Sequence, residues 1–119
     1  VYVHDLFDFL LVLALRDADG LVIFTGCSHS GTLNMIETVM ARFPDDPVKG
    51  VVGGFHLIGL PNRMAGSKAE VADLGRAMAR LPVDAYWTGH CTGRKGYDVL
   101  KGVLGERLAE IKTGSIVTL

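Results

Sequence analysis

Three short stretches of the sequence combine glycines with side chains that bind metal ions or attack substrates. They are TGCSHSG at residues 25–31, GGFH at residues 53–56 and TGHCTG at residues 88–93. Thiolates and imidazoles are the usual ligands of zinc in proteins, and both also serve as nucleophiles or bases. The side chains of this kind in the three stretches are Cys27, His29, His56, His90 and Cys91.

A nucleophilic side chain is one interpretation of the first stretch. A serine elbow requires Gly-x-Ser-x-Gly, and the sequence from Gly26 to Ser30 departs from it by one residue. A pair formed by Cys27 and His29 remains a candidate, but two residues so close in a loop need not face each other. The sequence also offers no evident third residue to orient the histidine. An enzyme that depends on Cys27 therefore stays an alternative.

The bulk properties favour one small globular domain with reduced cysteines. The chain has 119 residues, of which 49% are hydrophobic, and a net charge of −1. Such a charge provides no long-range field for nucleic acid or an anionic membrane, so we expect neither as a partner. The longest apolar run, FLLVLAL at residues 9–15, is far shorter than the roughly 20 residues of a membrane-spanning helix. Two cysteines predict free thiols in a cytoplasmic protein, with a Cys27–Cys91 disulfide as the alternative.

The sequence predicts alternating strands and helices, and these elements must position the cysteine and histidine side chains. Residues 10–16 predict a buried strand, and a turn at RDADG leads to a returning strand at residues 21–25. Further strands are predicted at residues 48–52 and 84–88, with one or two edge strands in 111–119, and helices are predicted at residues 32–43, 67–81 and 93–105. This order predicts an α/β protein with a parallel or mixed sheet.

Each central strand of this pattern ends in glycine, and a histidine follows within three residues. In an open α/β sheet, ligands bind beyond the carboxyl ends of the strands, where glycine allows a sharp turn and a close approach. The pattern therefore brings three imidazoles and two thiols to one edge. No Cys-x-x-Cys pair is present, so a zinc ribbon is not indicated. Ligands distributed one per loop are typical of a catalytic metal site, which keeps one position open for water.

The motifs GLVIFTGCSHSGTLNMIE, VVGGFHLIG and YWTGHCTG, in this order and at this separation, resemble the C-terminal half of metallo-β-lactamase-fold hydrolases. The resemblance is to the metal-dependent hydrolases of β-lactamase superfamily II, a subgroup that includes proteins similar to 7,8-dihydropterin-6-methyl-4-(β-D-ribofuranosyl)aminobenzene 5′-phosphate synthase. It implies half of an αββα sandwich, in which a mixed sheet carries about three helices on one face. It also implies one or two metal ions at the strand ends.

The resemblance further implies that residues 1–119 are the C-terminal part of such a domain. The family's His-x-His-x-Asp-His motif, which supplies most of its metal ligands, does not occur in this sequence, and the chain begins with Val1. We therefore expect the N-terminal metal-binding half to be absent. With few ligands left, the chain is expected to bind a divalent metal weakly or not at all, with zinc first and iron or manganese as alternatives.

The resemblance also implies roles for individual residues. His90 corresponds to the last metal-ligand histidine of the family. Cys27 takes the bridging position, and His29 is the other candidate ligand, with no sequence feature to separate the two. His56 is expected to contact substrate or to act in proton transfer. Candidates for polar contacts with a small-molecule substrate are Asn34, Thr92 and Arg94.

The expected activity of a complete site is hydrolysis. A metal-activated hydroxide would attack an ester or phosphoester, with a pterin phosphate as one candidate substrate, and this chain alone is expected to be inactive. Half a sandwich would expose an apolar sheet face that includes FLLVLAL. We expect this face to pair with the missing N-terminal half or with a second copy. The alternative from another class is a non-catalytic dimerising or binding module derived from the same fold.

Overall fold

The computed structural model describes residues 11–59 and 63–119. The elements are β1 (Leu13–Asp17), β2 (Gly20–Gly26), α1 (Thr32–Arg42), β3 (Val48–Gly53), β4 (Ile58–Gly59), β5 (Arg63–Met64), α2 (Lys68–Arg80), β6 (Val83–Thr88), α3 (Gly93–Leu104) and β7 (Leu108–Glu110). The three helices and the three central strands lie within one residue of their predicted bounds. The predicted edge strands in residues 111–119 are wrong, because the sheet's last described strand is β7.

One mixed sheet of five strands, in the order β1-β2-β3-β6-β7, forms the centre of the described chain. β1 is antiparallel to β2, while β2, β3, β6 and β7 are mutually parallel. The three parallel connections all step in the same direction across the sheet. Because such crossovers are right-handed, their helices lie on one face. The prediction of a mixed sheet with three helices on one face is confirmed.

The hydrophobic core lies between this sheet and its helices. Neighbouring strands contribute side chains in register, and the fully buried ones are Ile23, Val51, Tyr86 and Leu108. Each helix presents a side chain with 0% exposure in return, namely Ile36, Met78 and Leu100. The hydroxyl of Tyr86 donates to the carbonyl of Met78 at 2.9 Å, which ties β6 to α2, and burial raises the pKa of Tyr86 to about 12.

The opposite face of the sheet is apolar and partly exposed. Leu13 and Leu15 of β1 pair with Phe24 and Val22 of β2, so these side chains share the face with Trp87 of β6. Leu13 and Leu15 are 54% and 50% exposed. The predicted burial of the strand at residues 10–16 is therefore wrong for its described part, because no described residue covers it. Residues 9 and 10 of FLLVLAL lie outside the described residues.

Local signals fix the start of α2. Ser67 Oγ accepts a hydrogen bond from the Glu70 N–H at 3.2 Å, and the Glu70 carboxylate accepts one from the Ser67 N–H at 2.7 Å. This reciprocal pair is a capping box, which satisfies two of the N–H groups left free at a helix start. The backbone N–H of Ser67 lowers the pKa of Glu70. Across residues 11–59 and 63–119, every helix is too short or too polar to cross a membrane.

Candidate metal centre

The loops that follow β2, β3 and β6 each turn back toward the edge of the sheet. Each contains one non-glycine residue with a left-handed backbone, and these are Ser28 (φ 56°), His56 (φ 50°) and His90 (φ 51°). A left-handed backbone costs an ordinary residue of order 1–3 kcal/mol, and such residues concentrate at functional sites. The strained positions therefore coincide with two of the three histidines that the sequence placed at this edge.

Close packing holds these loops against one another. A Cβ atom at Gly54 would lie 2.5 Å from the Cys91 sulfur, and one at Gly89 would collide with the carbonyl oxygen of Ile111. The Gly54 N–H also donates to the Gly26 carbonyl at 2.7 Å. Only glycine allows the loops to approach this closely. The glycines at the strand ends thus permit the contacts that assemble the site.

Two buried threonines connect the β3 loop to the β6 loop. Thr88 Oγ1 donates to the Gly53 carbonyl at 2.7 Å and lies 2.5 Å from Thr92 Oγ1, which accepts the Phe55 N–H at 2.9 Å. Because Thr88 gives its proton to Gly53, Thr92 must donate to Thr88. Thr92 is 1% exposed. Its hydroxyl therefore positions the β3 loop, and its expected contact with substrate stays a prediction.

Three metal-ligating side chains converge where these loops meet. Cys27 from the β2 loop joins His90 and Cys91 from the β6 loop, and one donor atom from each lies within 4.8 Å of the others. The Cys91 thiol donates to the Cys27 carbonyl at 3.4 Å. Burial raises the pKa of the Cys91 thiol, and Cys27 raises it further, while the His56 N–H opposes the shift. The two thiols are free and half-buried, and His90 is exposed.

The geometry of this cluster fits a tetrahedral divalent ion. Zinc–sulfur and zinc–nitrogen bonds of about 2.3 and 2.0–2.1 Å place tetrahedral donors about 3.8 Å (sulfur–sulfur) and about 3.6 Å (sulfur–nitrogen) apart. The observed limit of 4.8 Å exceeds these separations by about 1 Å. Thiolate and imidazole donors also match zinc in chemical type.

His29 and His56 form a separate pair beside the cluster. Their ring centroids lie 4.0 Å apart with the planes inclined at 36°. Partial burial lowers the pKa of His56, and the charge of His29 lowers it further. Of the two candidate ligands in the first stretch, the described geometry groups Cys27 with His90 and places His29 against His56 instead.

Cys91 was not among the ligands expected from the sequence. The strand-end pattern brought the Cys91 thiol to the same edge, but adjacent residues of an extended chain point to opposite sides, so the sequence alone did not group Cys91 with His90 as ligands. The left-handed backbone of His90 and the 3₁₀ turn His90–Thr92 remove that alternation. The signal present in the sequence was the direct adjacency of histidine and cysteine within a Gly-flanked stretch.

A cleft of about 570 Å³ opens in front of the cluster. Cys27 and His90 form part of one wall, and residues 110–113, at the end of β7 and just after it, form the other. The Ile111 N–H donates to the Thr88 carbonyl at 2.9 Å and fixes this second wall to β6. The volume lies within the range of small-molecule sites in proteins, about 300–1,000 Å³. The cleft is thus large enough for a small-molecule substrate.

A smaller cleft of about 170 Å³ lies beside the start of α3 and includes Arg63, Arg94 and Lys95 in its lining. The Arg94 guanidinium donates to both carboxylate oxygens of Glu110 at 2.9 and 3.1 Å, and this contact raises the pKa of Arg94. Asn34, in the first turn of α1, donates to the Ser30 carbonyl at 3.2 Å. The expected substrate contacts of Arg94 and Asn34 stay predictions.

Comparison with known proteins bears on the class of fold. No protein-family model matches the chain. Among solved structures, the crystal structure of a metal-dependent hydrolase of the β-lactamase superfamily superposes with a TM-score of 0.73 at 31% identity, over 91% of this chain and 40% of that one. The predicted resemblance to these hydrolases and the predicted fold class are confirmed.

Two proteins of Methanocaldococcus jannaschii are related in sequence. The 7,8-dihydropterin-6-methyl-4-(β-D-ribofuranosyl)-aminobenzene-5′-phosphate synthase is 31% identical over 105 residues, which are 88% of this chain and 34% of the synthase. An uncharacterized protein is 34% identical over 76 residues, which are 62% of this chain and 25% of that protein. The chain therefore spans about a third of the synthase and a quarter of the uncharacterized protein.

The threonine contacts predict a specific loss of stability. Thr92→Val keeps the side-chain shape but removes the hydroxyl, which leaves the Phe55 N–H without its partner. We expect the free energy of unfolding in urea to fall by about 1–3 kcal/mol, the cost of an unsatisfied buried group. Thr92→Ser, the matched control, retains the hydroxyl and most of the stability. Equal stability of the valine variant and the unmodified protein would contradict the assigned hydrogen bonds.

Proposed function

We propose that this chain contributes the C-terminal wall of the active site of a metal-dependent hydrolase that cleaves an ester or phosphoester. The observation that carries the proposal is the convergence of Cys27, His90 and Cys91 within 4.8 Å at the carboxyl edge of the sheet, in front of a cleft of about 570 Å³. The related metal-dependent hydrolase supports it at the level of the superfamily.

Zinc is the proposed metal, because thiolates and imidazole are its usual donors, whereas manganese prefers oxygen donors. When bound, a divalent ion would lower the pKa of a water molecule to about 7 and polarise the scissile group. Cys27, His90 and Cys91 would hold the ion beside the cleft. Keeping Cys27 and Cys91 as thiols requires a reducing compartment, which supports the cytoplasm as the place of action.

We assign His56 to proton transfer. Its ring lies against His29 at 4.0 Å, and its left-handed backbone directs it out of the β3 loop at the same edge as the metal cluster. The lowered pKa of His56 favours the neutral imidazole, which accepts a proton. His29 would hold the orientation of that ring.

A phosphate-bearing substrate is the class we propose. Arg63 and Lys95 line the smaller cleft beside the start of α3, and Arg94 adds a charge that Glu110 partly offsets. Guanidinium and ammonium groups are the usual partners of phosphate oxygens. The name of the related synthase also specifies a 5′-phosphate.

The exposed sheet face is proposed to pack against further polypeptide, either an N-terminal half of the sandwich or a second copy of the chain. Leu13 and Leu15 are half exposed on a face that also carries the half-buried Phe24 and Trp87. Contiguous apolar surface of this kind marks an interface. By itself the chain would then be inactive, since the open sheet face leaves the site without the polypeptide proposed to pack against it.

The central test separates metal binding from proton transfer. His90→Ala should lose the bound metal and lower the hydrolysis of an activated phosphodiester by at least about 100-fold. His56→Gln should retain the metal and lower kcat, with KM nearly unchanged. Metal content and kinetics are measured on the same preparations of the protein as the cell makes it. Full activity and metal content in His90→Ala would contradict the proposal, whereas a folded, dimeric, metal-free protein would support the binding-module alternative.

The substrate class has its own test. Lys95→Ala should raise KM for phosphoesters several-fold, because it removes a cation from the smaller cleft, and should leave KM for an uncharged carboxylic ester unchanged. Lys68→Ala, an exposed lysine at the start of α2, is the matched control. The same change in KM for both substrates in Lys95→Ala would contradict a phosphate contact.

The sheet face is tested by adding charge to it. The double variant Leu13→Glu and Leu15→Glu should weaken self-association, or binding of a separately produced N-terminal half, by about tenfold or more. The matched control Ala41→Glu with Ala69→Glu adds the same charge at exposed positions of α1 and α2, on the other side of the sheet. Analytical ultracentrifugation measures the association. An unchanged association constant in the β1 variant would exclude this face as the interface.

A further inference from the structure

We propose that Cys91 is a direct metal ligand, so that this chain supplies a Cys₂His donor set made of Cys27, His90 and Cys91. The resemblance to the hydrolase family carries over His90 and the position of Cys27, but it assigns no role to Cys91. The inference rests on the proposed metal site and specifies its ligands. It follows from four features of the described structure.

The first feature is distance. The Cys91 sulfur lies within 4.8 Å of the donor atoms of both Cys27 and His90. The three donors thus approach the separations of about 3.6–3.8 Å that a tetrahedral zinc ion imposes. By contrast, His29 lies outside this group of three and contacts His56.

The second feature is that the position of the Cys91 sulfur is fixed before any ion binds. The sulfur lies against Gly54, where a Cβ atom would be only 2.5 Å away. As a free thiol it also donates to the Cys27 carbonyl at 3.4 Å, a hydrogen bond that is given up when the thiol loses its proton to become a ligand. The Cys91 carbonyl accepts the Leu57 N–H at 2.9 Å. A ligand that is held in place loses little conformational freedom on binding.

The third feature is the backbone of His90. Its left-handed conformation (φ 51°) opens the 3₁₀ turn His90–Thr92, which allows two successive side chains to face the same point. A left-handed histidine is costly. Directing both His90 and Cys91 to one ion would be a functional reason for this free-energy cost of the His90 backbone.

The fourth feature is the cleft beside the three donor atoms, which leaves room for a fourth ligand of the ion. Cys27 and His90 both line the cleft of about 570 Å³. A tetrahedral ion with three protein ligands keeps one position open, and Cys₂His with one open position is a known arrangement of catalytic zinc. The open position would face the cleft, where a substrate would bind.

Cobalt(II) substitution tests the proposal without any activity measurement. Cobalt(II) replaces zinc in thiolate sites, and each thiolate ligand adds to a near-ultraviolet charge-transfer band. Titrated under reducing, anaerobic conditions, the protein should develop a two-thiolate band. Cys91→Ser should lose about half of that intensity and bind cobalt about 10- to 100-fold more weakly. Cys27→Ser should behave in the same way, and the double variant should show no band.

Two controls keep the result interpretable. Far-ultraviolet circular dichroism and the urea midpoint establish that Cys91→Ser, a nearly isosteric change, is folded. Alkylation of the zinc-loaded protein by iodoacetamide should be slowed at both cysteines. A full-intensity band in folded Cys91→Ser, or protection of Cys27 alone, would overturn the role of Cys91 and leave the hydrolase proposal intact. Absence of any thiolate band in the unmodified protein would overturn the Cys₂His site, while loss of hydrolysis in His90→Ala still tests the hydrolase proposal separately.

Discussion

The close approach of three loops at one edge of the sheet is the constraint on which the site depends. Parallel strands β2, β3 and β6 deliver their carboxyl ends to this edge. Thr88 and Thr92 then bind the β3 loop to the β6 loop through buried hydroxyls. Glycines remove the side chains that would prevent contact. Without this packing, the donor atoms of Cys27 and His90, 63 positions apart in the sequence, would not lie within 4.8 Å of each other.

At the same edge of the sheet, the hydroxyls that hold the loops together are buried, while the side chains that could react are exposed. The hydroxyls of Thr88 and Thr92 are buried, whereas His90 and His56 are exposed. A metal site needs this arrangement, because ligands must be held in place while one coordination position stays open to substrate. The second wall, after β7, is tied to β6 through the Ile111 N–H. The cleft is therefore bounded by elements that belong to the sheet.

The sequence was sufficient for the elements whose signals are local. The helical spacing of apolar residues, the Ser67–Glu70 capping box and the glycines at the strand ends predicted the three helices and central strands closely. The burial of the strand at residues 10–16 was predicted incorrectly, since burial depends on what covers a face and not on the strand's own residues. The Cys91 thiol was placed at this edge but was not grouped with Cys27 and His90, because a left-handed histidine cannot be recognised from residue type.

The sequence could predict which candidate residues lie near one another only where the order of strands and helices determines it. His90 and Cys27 follow parallel strands, so their proximity followed from the order of the elements. The choice between Cys27 and His29 depended on how one loop turns, and in the described structure Ser28 takes the left-handed conformation between them. Packing between loops that are distant in sequence thus places Cys27 near His90 and Cys91, and His29 against His56. Composition alone does not determine this grouping.

X-ray absorption spectroscopy of the zinc-loaded protein tests the central claim most directly, since it measures the atoms bound to the ion. The account predicts a four-coordinate zinc with two sulfur neighbours at about 2.3 Å and a histidine nitrogen at about 2.0 Å. A coordination shell made only of nitrogen and oxygen would contradict it.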